Sequence, residues 1–297
     1  MNQGVVGGMN LQETISKLID AALAEDLGPG DLTSEYFVPH HRRVRALLVA
    51  REDGCLSGGD IAAEVFRRVD PEIEVQGLLA DGSTVSAGAH VLVADGPAKG
   101  ILTAERTALN FMQRLSGIAT ETRRYVDRVA GTKAKILDTR KTTPGWRLLE
   151  KRAVVAGGGL NHRMGLYDRV MVKDNHLVAE HDPVSLKAAI DRLRVDHPHV
   201  EVELEADHLE QVAEFLKMEG VDYILLDNMT PEDLRKAVEM RDGHLHPKLE
   251  ASGGVTLDTV EEIAQTGVDY ISVGALTHSV RSLDLALDFV SLDGDGR

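Results

Sequence analysis

The side chains best suited to chemistry crowd the stretch from Lys135 to His176. A short apolar run ends in Thr139-Arg140-Lys141, a glycine triplet at 157–159 leads to His162-Arg163, and a second apolar run, Val170 to Val172, ends in Lys173-Asp174. Cations that repeatedly terminate strand-like runs suit an anion-rich ligand. Arginine forks pair bidentately with carboxylates, and lysines neutralise phosphates as point charges. Farther along, Glu203, Asp227-Asn228, Ser252-Gly253-Gly254 and Gly274 close further apolar runs. Cations come first, carboxylates next and glycines last. Glycine turns expose backbone N–H groups that can hold a terminal phosphate, and carboxylates between suit sugar hydroxyls or a divalent cation.

Each of these residues has a plain structural explanation as well. Asp227 can cap a helix that begins near Thr230-Pro231-Glu232. Glu203 shares its strand face with Glu201 and Glu205, and two of those three are expected to lie outside the chemistry. His162 can be a satisfied core histidine, and Lys173 can snorkel from a strand end. The convergence of all of them on strand ends is what favours a site.

The elements that must position them follow from periodicity. From residue 135 onward, short apolar strands (Lys135–Asp138, Val170–Lys173, Val200–Leu204, Tyr223–Leu226, Leu249–Ser252 and Tyr270–Val273) alternate with amphipathic helices such as Pro183–Arg194, Leu209–Met218 and Leu257–Ala264. The pentapeptide Gly-Val-Asp-Tyr-Ile occurs at 220–224 and again at 267–271, as expected of a repeated βα module. Such alternation implies a parallel sheet that tends to close into a barrel with its chemistry at the carboxyl ends of the strands. Six strands fall short of the usual eight. Upstream the pattern is α+β: a helix over 11–25 opened by Asn10 and Glu13, a strand over 44–50, a helix over 59–69, and turn-punctuated strands over 73–93 with turns at Asp81-Gly82 and Ala87-Gly88. A long helix over 102–129, capped by Thr103, carries apolar residues on more than one face, so it is deeply buried or shared with a partner subunit. Arg106, near its start, reads from sequence as a solvated surface arginine.

Composition narrows the partners. The 297 residues carry 33 Lys and Arg against 48 Asp and Glu, a net charge of −15 that argues against nucleic acid or an anionic membrane surface. Cys55, the single cysteine, excludes an internal disulfide and a thiolate metal cage, and its setting favours a structural role. No apolar run reaches membrane-spanning length, and the N-terminus lacks the basic start and apolar core of a signal peptide, so a cytoplasmic location is expected.

Taken together, the motifs resemble those of the quinolinate phosphoribosyltransferases. They are Thr-Arg-Lys-Thr-Thr-Pro-Gly at 139–145, His162-Arg163, Met-Val-Lys-Asp-Asn-His at 171–176, Val-Glu-Val-Glu at 200–203, Leu-Leu-Asp-Asn at 225–228 and Glu-Ala-Ser-Gly-Gly-Val at 250–255. Glu-Asp-Leu-Gly-x-Gly-Asp-Leu-Thr at 25–33 and Glu-Arg-Thr-Ala-Leu-Asn at 105–110 extend the likeness to nearly the whole chain. The resemblance implies an N-terminal α+β sandwich domain over 1–116, to which residues 276–297 return, and an incomplete α/β (TIM-like) barrel over 117–275 with phosphate-binding loops after the last strands. It implies phosphoribosyl transfer from phosphoribosyl pyrophosphate to quinolinate with decarboxylation, in NAD biosynthesis, with Mg²⁺ and no organic cofactor. It implies a homodimer or higher homo-oligomer in which Arg106 enters the partner's site, the reverse of the reading above. Arg106, Thr139, Arg140, His162 and Arg163 would hold quinolinate. Lys141 and Lys173 would neutralise pyrophosphate, and Glu203 and Asp227 would meet the ribose hydroxyls and the metal-bound edge. Ser252, Gly253, Gly254, Val273, Gly274 and Ala275 would surround the 5-phosphate. The competing readings are a Schiff-base aldolase built on Lys173, a paralogous transferase or transport-associated protein of the same fold, and a non-catalytic phosphosugar-binding protein.

Overall fold

The structure, a computed structural model, describes residues 5–6, 9–173 and 183–290. In chain order its elements begin with β1 (Val5–Val6), β2 (Met9–Asn10), α1 (Leu11–Leu27), α2 (Leu32–Phe37), β3 (Arg43–Ala50), β4 (Gly54–Cys55) and α3 (Gly59–Val69). Next come β5 (Glu74–Gln76), β6 (Thr84–Val85), β7 (His90–Pro97), α4 (Ala98–Arg128), β8 (Lys135–Leu137), α5 (Arg147–Ala156) and β9 (Arg169–Val172). The chain continues through α6 (Pro183–Asp196), β10 (Glu201–Ala206), α7 (Leu209–Phe215), β11 (Tyr223–Asp227) and α8 (Pro231–Met240). It ends with β12 (Lys248–Ser252), α9 (Val260–Gln265), β13 (Tyr270–Ser272), α10 (Ala275–His278) and β14 (Leu285–Val290). The motif residues Asp174, Asn175 and His176 and the last seven residues of the returning C-terminal segment lie outside the described residues.

The chain forms two compact units. The first comprises Met1–Arg123, Thr143–Gly158 and Ser279–Arg297. Its antiparallel sheet runs in the order β14-β3-β7-β5, so the returning strand lies along β3 with Leu285 opposite Ala50. Helix α4 starts at Ala98, four residues before the expected start, because the buried positions Ala98, Ile101, Ala104 and Ala108 extend its apolar stripe upstream. Thr103 is therefore interior to the helix rather than its cap, and its hydroxyl donates to Asp31 (2.8 Å). The segment 143–158, which the sequence places inside the barrel region, belongs to this unit. Phe111 stacks on Trp146 with centroids 4.8 Å apart, and buried Glu150 accepts from Thr143 (N, 3.1 Å; hydroxyl, 2.8 Å) and from Arg114 (3.1 Å).

The second unit comprises Arg124–Thr142 and Gly159–His278. All six expected strands form, and they make one parallel sheet in the order β8-β13-β12-β11-β10-β9. The order is that of a barrel opened between its first two strands. On its free side β8 meets a one-residue parallel bridge at Leu160, where a closing strand would stand. Register aligns Glu203 with Met171 and Tyr223, Leu225 with Glu205 and Glu250, and Asp227 with Ser252. Alternation along each strand then turns every second residue to a common face. The helix after Ser252 begins at Val260 instead of Leu257, because residues 257–259 form a turn.

Candidate active site

The carboxyl ends of the parallel strands surround a cavity of about 660 Å³. Of the residues singled out in the sequence, Thr139, Arg140, Lys141, His162, Arg163, Lys173, Asp227, Ser252, Gly253, Gly254, Val273, Gly274 and Ala275 all line it. Two do not. Glu203 lies below the cavity, fully buried, and Arg106 is an exposed residue of α4 in the first unit.

Local geometry explains the arrangement. After β8 the chain turns sharply: Lys141 N–H donates to the Thr139 hydroxyl (3.0 Å), and Thr142 N–H donates to the Arg140 carbonyl (2.9 Å). The Thr277 hydroxyl ties down the Lys141 carbonyl (2.6 Å), leaving that lysine's side chain at the rim. After β12, Gly253 has φ +95°, and a Cβ there would sit 2.1 Å from the Asn228 side-chain oxygen, so only glycine fits. A Cβ on Gly274 would press within 3.1 Å of both His278 and the Lys141 side chain. Both glycine turns thus bring bare backbone close to the cavity.

The cations differ in setting. The Arg163 guanidinium donates to the Arg169 carbonyl (3.1 Å), and burial, reinforced by the charge of Arg140, lowers its pKa. Two guanidinium groups held this close in a half-buried site favour a dianionic ligand between them. Lys173 pairs with Glu205, which lines the cavity. Asp227 is half-buried and accepts from Asn228 Nδ2 (2.6 Å).

Part of the cavity floor is a buried layer of charge, in which His162 and Glu250 line the cavity while Glu203 and Arg169 do not. His162 Nδ1 accepts from the backbone N–H of Arg163 (2.6 Å), which leaves the proton on Nε2. That nitrogen faces Glu203 at 3.1 Å and Glu250 at 3.5 Å. Arg169 lies 3.6 Å from Glu203, pairs with Glu201 at 2.8 Å and stacks over the Tyr223 ring at 4.1 Å. The backbone N–H of His162 in turn donates to Asp138 (2.8 Å). Burial, and then the charge of Glu203, push the Glu250 carboxyl well above its ordinary value.

This constellation sits on a chain that matches one family over most of its length. Residues 31–116 match the quinolinate phosphoribosyl transferase N-terminal domain, and residues 118–288 match the C-terminal domain. The chain belongs to the quinolinate phosphoribosyl transferase family. It is 45% identical over 277 residues to the nicotinate-nucleotide pyrophosphorylase [carboxylating] of Mycobacterium leprae, covering 91% of this chain and 95% of that protein. It is 44% identical over 289 residues to the chloroplastic enzyme of the same name from Arabidopsis thaliana, covering 92% and 82%. Among solved structures, the nicotinate-nucleotide pyrophosphorylase from Francisella tularensis superposes with a TM-score of 0.87 at 36% identity, covering 95% of this chain and 98% of that one. The enzyme from Ehrlichia chaffeensis gives 0.85 at 40% identity, covering 93% and 98%.

Within this family frame, several cavity residues were given no role in the sequence reading: Met171, Glu205, Leu225, Glu250 and His278. A signal for Glu205 was present, since it alternates with Glu203 along β10 and therefore shares its face, one strand repeat nearer the carboxyl end. His278 lies four residues beyond Gly274, one turn along the short helix α10, and the sequence offered no reason to look there.

Proposed function

We propose that this chain transfers the phosphoribosyl group of phosphoribosyl pyrophosphate to the ring nitrogen of quinolinate, with loss of the 2-carboxyl as CO₂, giving nicotinate mononucleotide and pyrophosphate. One observation carries the reading: paired guanidiniums, two lysines, carboxylates and two bare-backbone glycine turns converge on a single cavity. The relatives named above bear this activity in their names.

Arg140 and Arg163 clamp the two ring carboxylates and so aim the ring nitrogen at C1 of the ribose. His162, with Nδ1 on the Arg163 backbone and Nε2 toward the buried carboxylates, fixes the arginine's position beside the ring. Lys141 and Lys173 neutralise the departing pyrophosphate, while Ser252–Gly254 and Gly274 hold the 5-phosphate through backbone N–H groups. As the C1–O bond breaks, positive charge grows on C1, and the carboxylates of Asp227 and Glu205 stabilise it electrostatically. Once the C1–N bond is made, the ring nitrogen carries positive charge. The electrons of the breaking C2–carboxyl bond stay on C2 as a carbanion stabilised by the adjacent positive nitrogen, and C2 then takes a proton from water, so no organic cofactor is required.

Mg²⁺ fits part of the donor set. Hard cations prefer carboxylate oxygens and water, and Asp227 and Glu205 offer such oxygens at the cavity wall. Glu203 fits poorly, because His162 and Arg169 already enclose it. When bound, the ion would offset the pyrophosphate charge. We assign Arg106 to the site of a second copy, supported by its exposure and by the absence of a salt bridge to it among the described residues. The single buried Cys55 suits a reducing, cytoplasmic setting.

The deciding experiment incubates purified protein with quinolinate, phosphoribosyl pyrophosphate and Mg²⁺, and follows nicotinate mononucleotide and CO₂ together. Equal amounts of both are expected. Binding of either substrate without product would overturn the assignment in favour of a paralogue or a binding protein. Mixing Arg106→Ala with Lys173→Ala protein is expected to restore part of the activity, and no recovery under subunit exchange would remove Arg106 from the shared site.

A further inference from the structure

The same sheet has a second cavity, at the amino ends of its strands, with a volume of about 560 Å³. Lys135 opens β8, Lys248 opens β12 and Tyr270 opens β13, and all three line it together with Lys133, Arg241 and Asp269. Four cations face one carboxylate there, a local excess of three positive charges in a chain whose net charge is −15.

The one carboxylate is already committed. Asp269 accepts from Lys133 (3.1 Å), from Arg241 and from the backbone N–H of Leu249 (2.9 Å). Burial alone would raise its pKa, but these donors hold it below the ordinary carboxylate range, so it stays ionised and saturated. Lys135 and Lys248 form no ion pair among the described residues. Arg241 is only 6% exposed, and its buried Nε–H has no acceptor. A buried guanidinium donor left without an acceptor is costly, so a donor of this kind marks a position where an anionic oxygen would be stabilising. The ring of Tyr270 is braced by Tyr223, with centroids 5.9 Å apart. The cavity is far roomier than a lone phosphate requires and falls in the range of small-molecule sites.

We propose that this amino-end cavity binds a nucleotide bearing a diphosphate or triphosphate, with the phosphates on Lys135, Lys248 and Arg241 and the base against Tyr270. The cavity is separate from the catalytic one. The strands that open it end at the other side in Thr139–Lys141, Ser252–Gly254 and Gly274, so each contributes to both ends.

The test is calorimetric titration with ADP. Because ADP can also enter the catalytic cavity, the titration compares Lys141→Glu protein with the same protein carrying Lys135→Glu and Lys248→Glu in addition. The Lys141→Glu protein is expected to bind one ADP per chain, and the added substitutions to weaken that binding at least about tenfold, with the affinity of the intact site falling as salt rises. Lys135→Glu/Lys248→Glu in the otherwise native chain is expected to keep its turnover of quinolinate. Should the charge reversals impair folding by circular dichroism, Lys135→Met/Lys248→Met gives the same comparison with the alkyl stems kept. Undiminished binding after either pair of substitutions, or no binding to Lys141→Glu protein at millimolar ADP, would overturn the site. Inorganic pyrophosphate binding as tightly as ADP would overturn its assignment to a nucleotide.

Discussion

Glu203 and Glu205 are two residues apart on one strand and point to the same face, yet their surroundings differ in kind. Glu205 stands at the cavity wall, paired with a lysine that is 41% exposed on its side chain. Glu203 is fully buried in a layer with His162, Arg169 and Glu250. Lys173, Asp227 and Glu205 line the cavity and can meet a ligand there, although Glu205 itself is only 7% exposed. In the lower layer Glu203 and Arg169 lie outside the cavity lining, whereas His162 and Glu250 of the same layer also line it. One strand repeat, about 7 Å, thus separates Glu205, which lines the cavity, from Glu203, which does not.

The largest expected effect tests the upper layer. Lys141→Ala removes the cation proposed to face the departing pyrophosphate, and loss of one such electrostatic contact is expected to lower kcat by roughly 10²–10³. Thermal midpoint and quinolinate affinity are expected to stay near those of the native protein, because the side chain is at the rim and the Thr277 bond uses only the backbone carbonyl. A drop in both kcat and melting temperature would place Lys141 with the structural charges.

Glu203→Ala is expected to do the opposite. Breaking a buried pair on one side costs about 3–5 kcal/mol. Arg169 keeps Glu201, and Glu250 remains beside His162, so a loss of about 2–3 kcal/mol in denaturant unfolding is expected. An unchanged stability with a collapsed kcat would mean that Glu203 reaches the ribose after all. Glu205→Gln gives a smaller effect: roughly tenfold in kcat/KM from weakening the carboxylate proposed to stand near C1, with stability changed by about 1 kcal/mol because the amide oxygen can still accept from Lys173.

What the sequence made legible follows the same division. Strand ends were readable because short apolar runs stop abruptly at Lys141, Lys173, Asp227 and Ser252, and each of those residues lines one cavity. The six strands and their parallel arrangement were readable from the βα alternation. Depth along a strand was not. Glu201, Glu203 and Glu205 have the same residue type and the same parity, and only the register against β9 and β11 shows which one sits beneath the floor and which reaches the wall. The packing of residues 143–158 into the first unit was not legible either, because it rests on the stacking of Phe111 on Trp146 and on buried Glu150, contacts between residues tens of positions apart. Long-range packing of that kind leaves no local pattern.

The smallest effect separates the layers by proton uptake. Burial, and then the nearby Glu203 carboxylate, raise the Glu250 pKa well above its ordinary 4.5. In the window between that value and the raised native one, the folded chain holds a proton that the unfolded chain has released. Unfolding therefore sheds a proton, and stability falls as pH rises through the window, by up to about 1.4 kcal/mol per pH unit for one proton. Below the window both states are protonated and the contribution is fully present; above it the contribution is gone. Glu250→Gln keeps the shape and the neutral state, so its stability is expected to be flatter with pH across the same range, measured by urea midpoints from pH 4 to pH 8. A pH dependence identical to that of the native chain would show that Glu250 is ionised in the folded protein. Arg169 would then be balancing two carboxylates, and the lower layer would be open to solvent in the same way as the upper one.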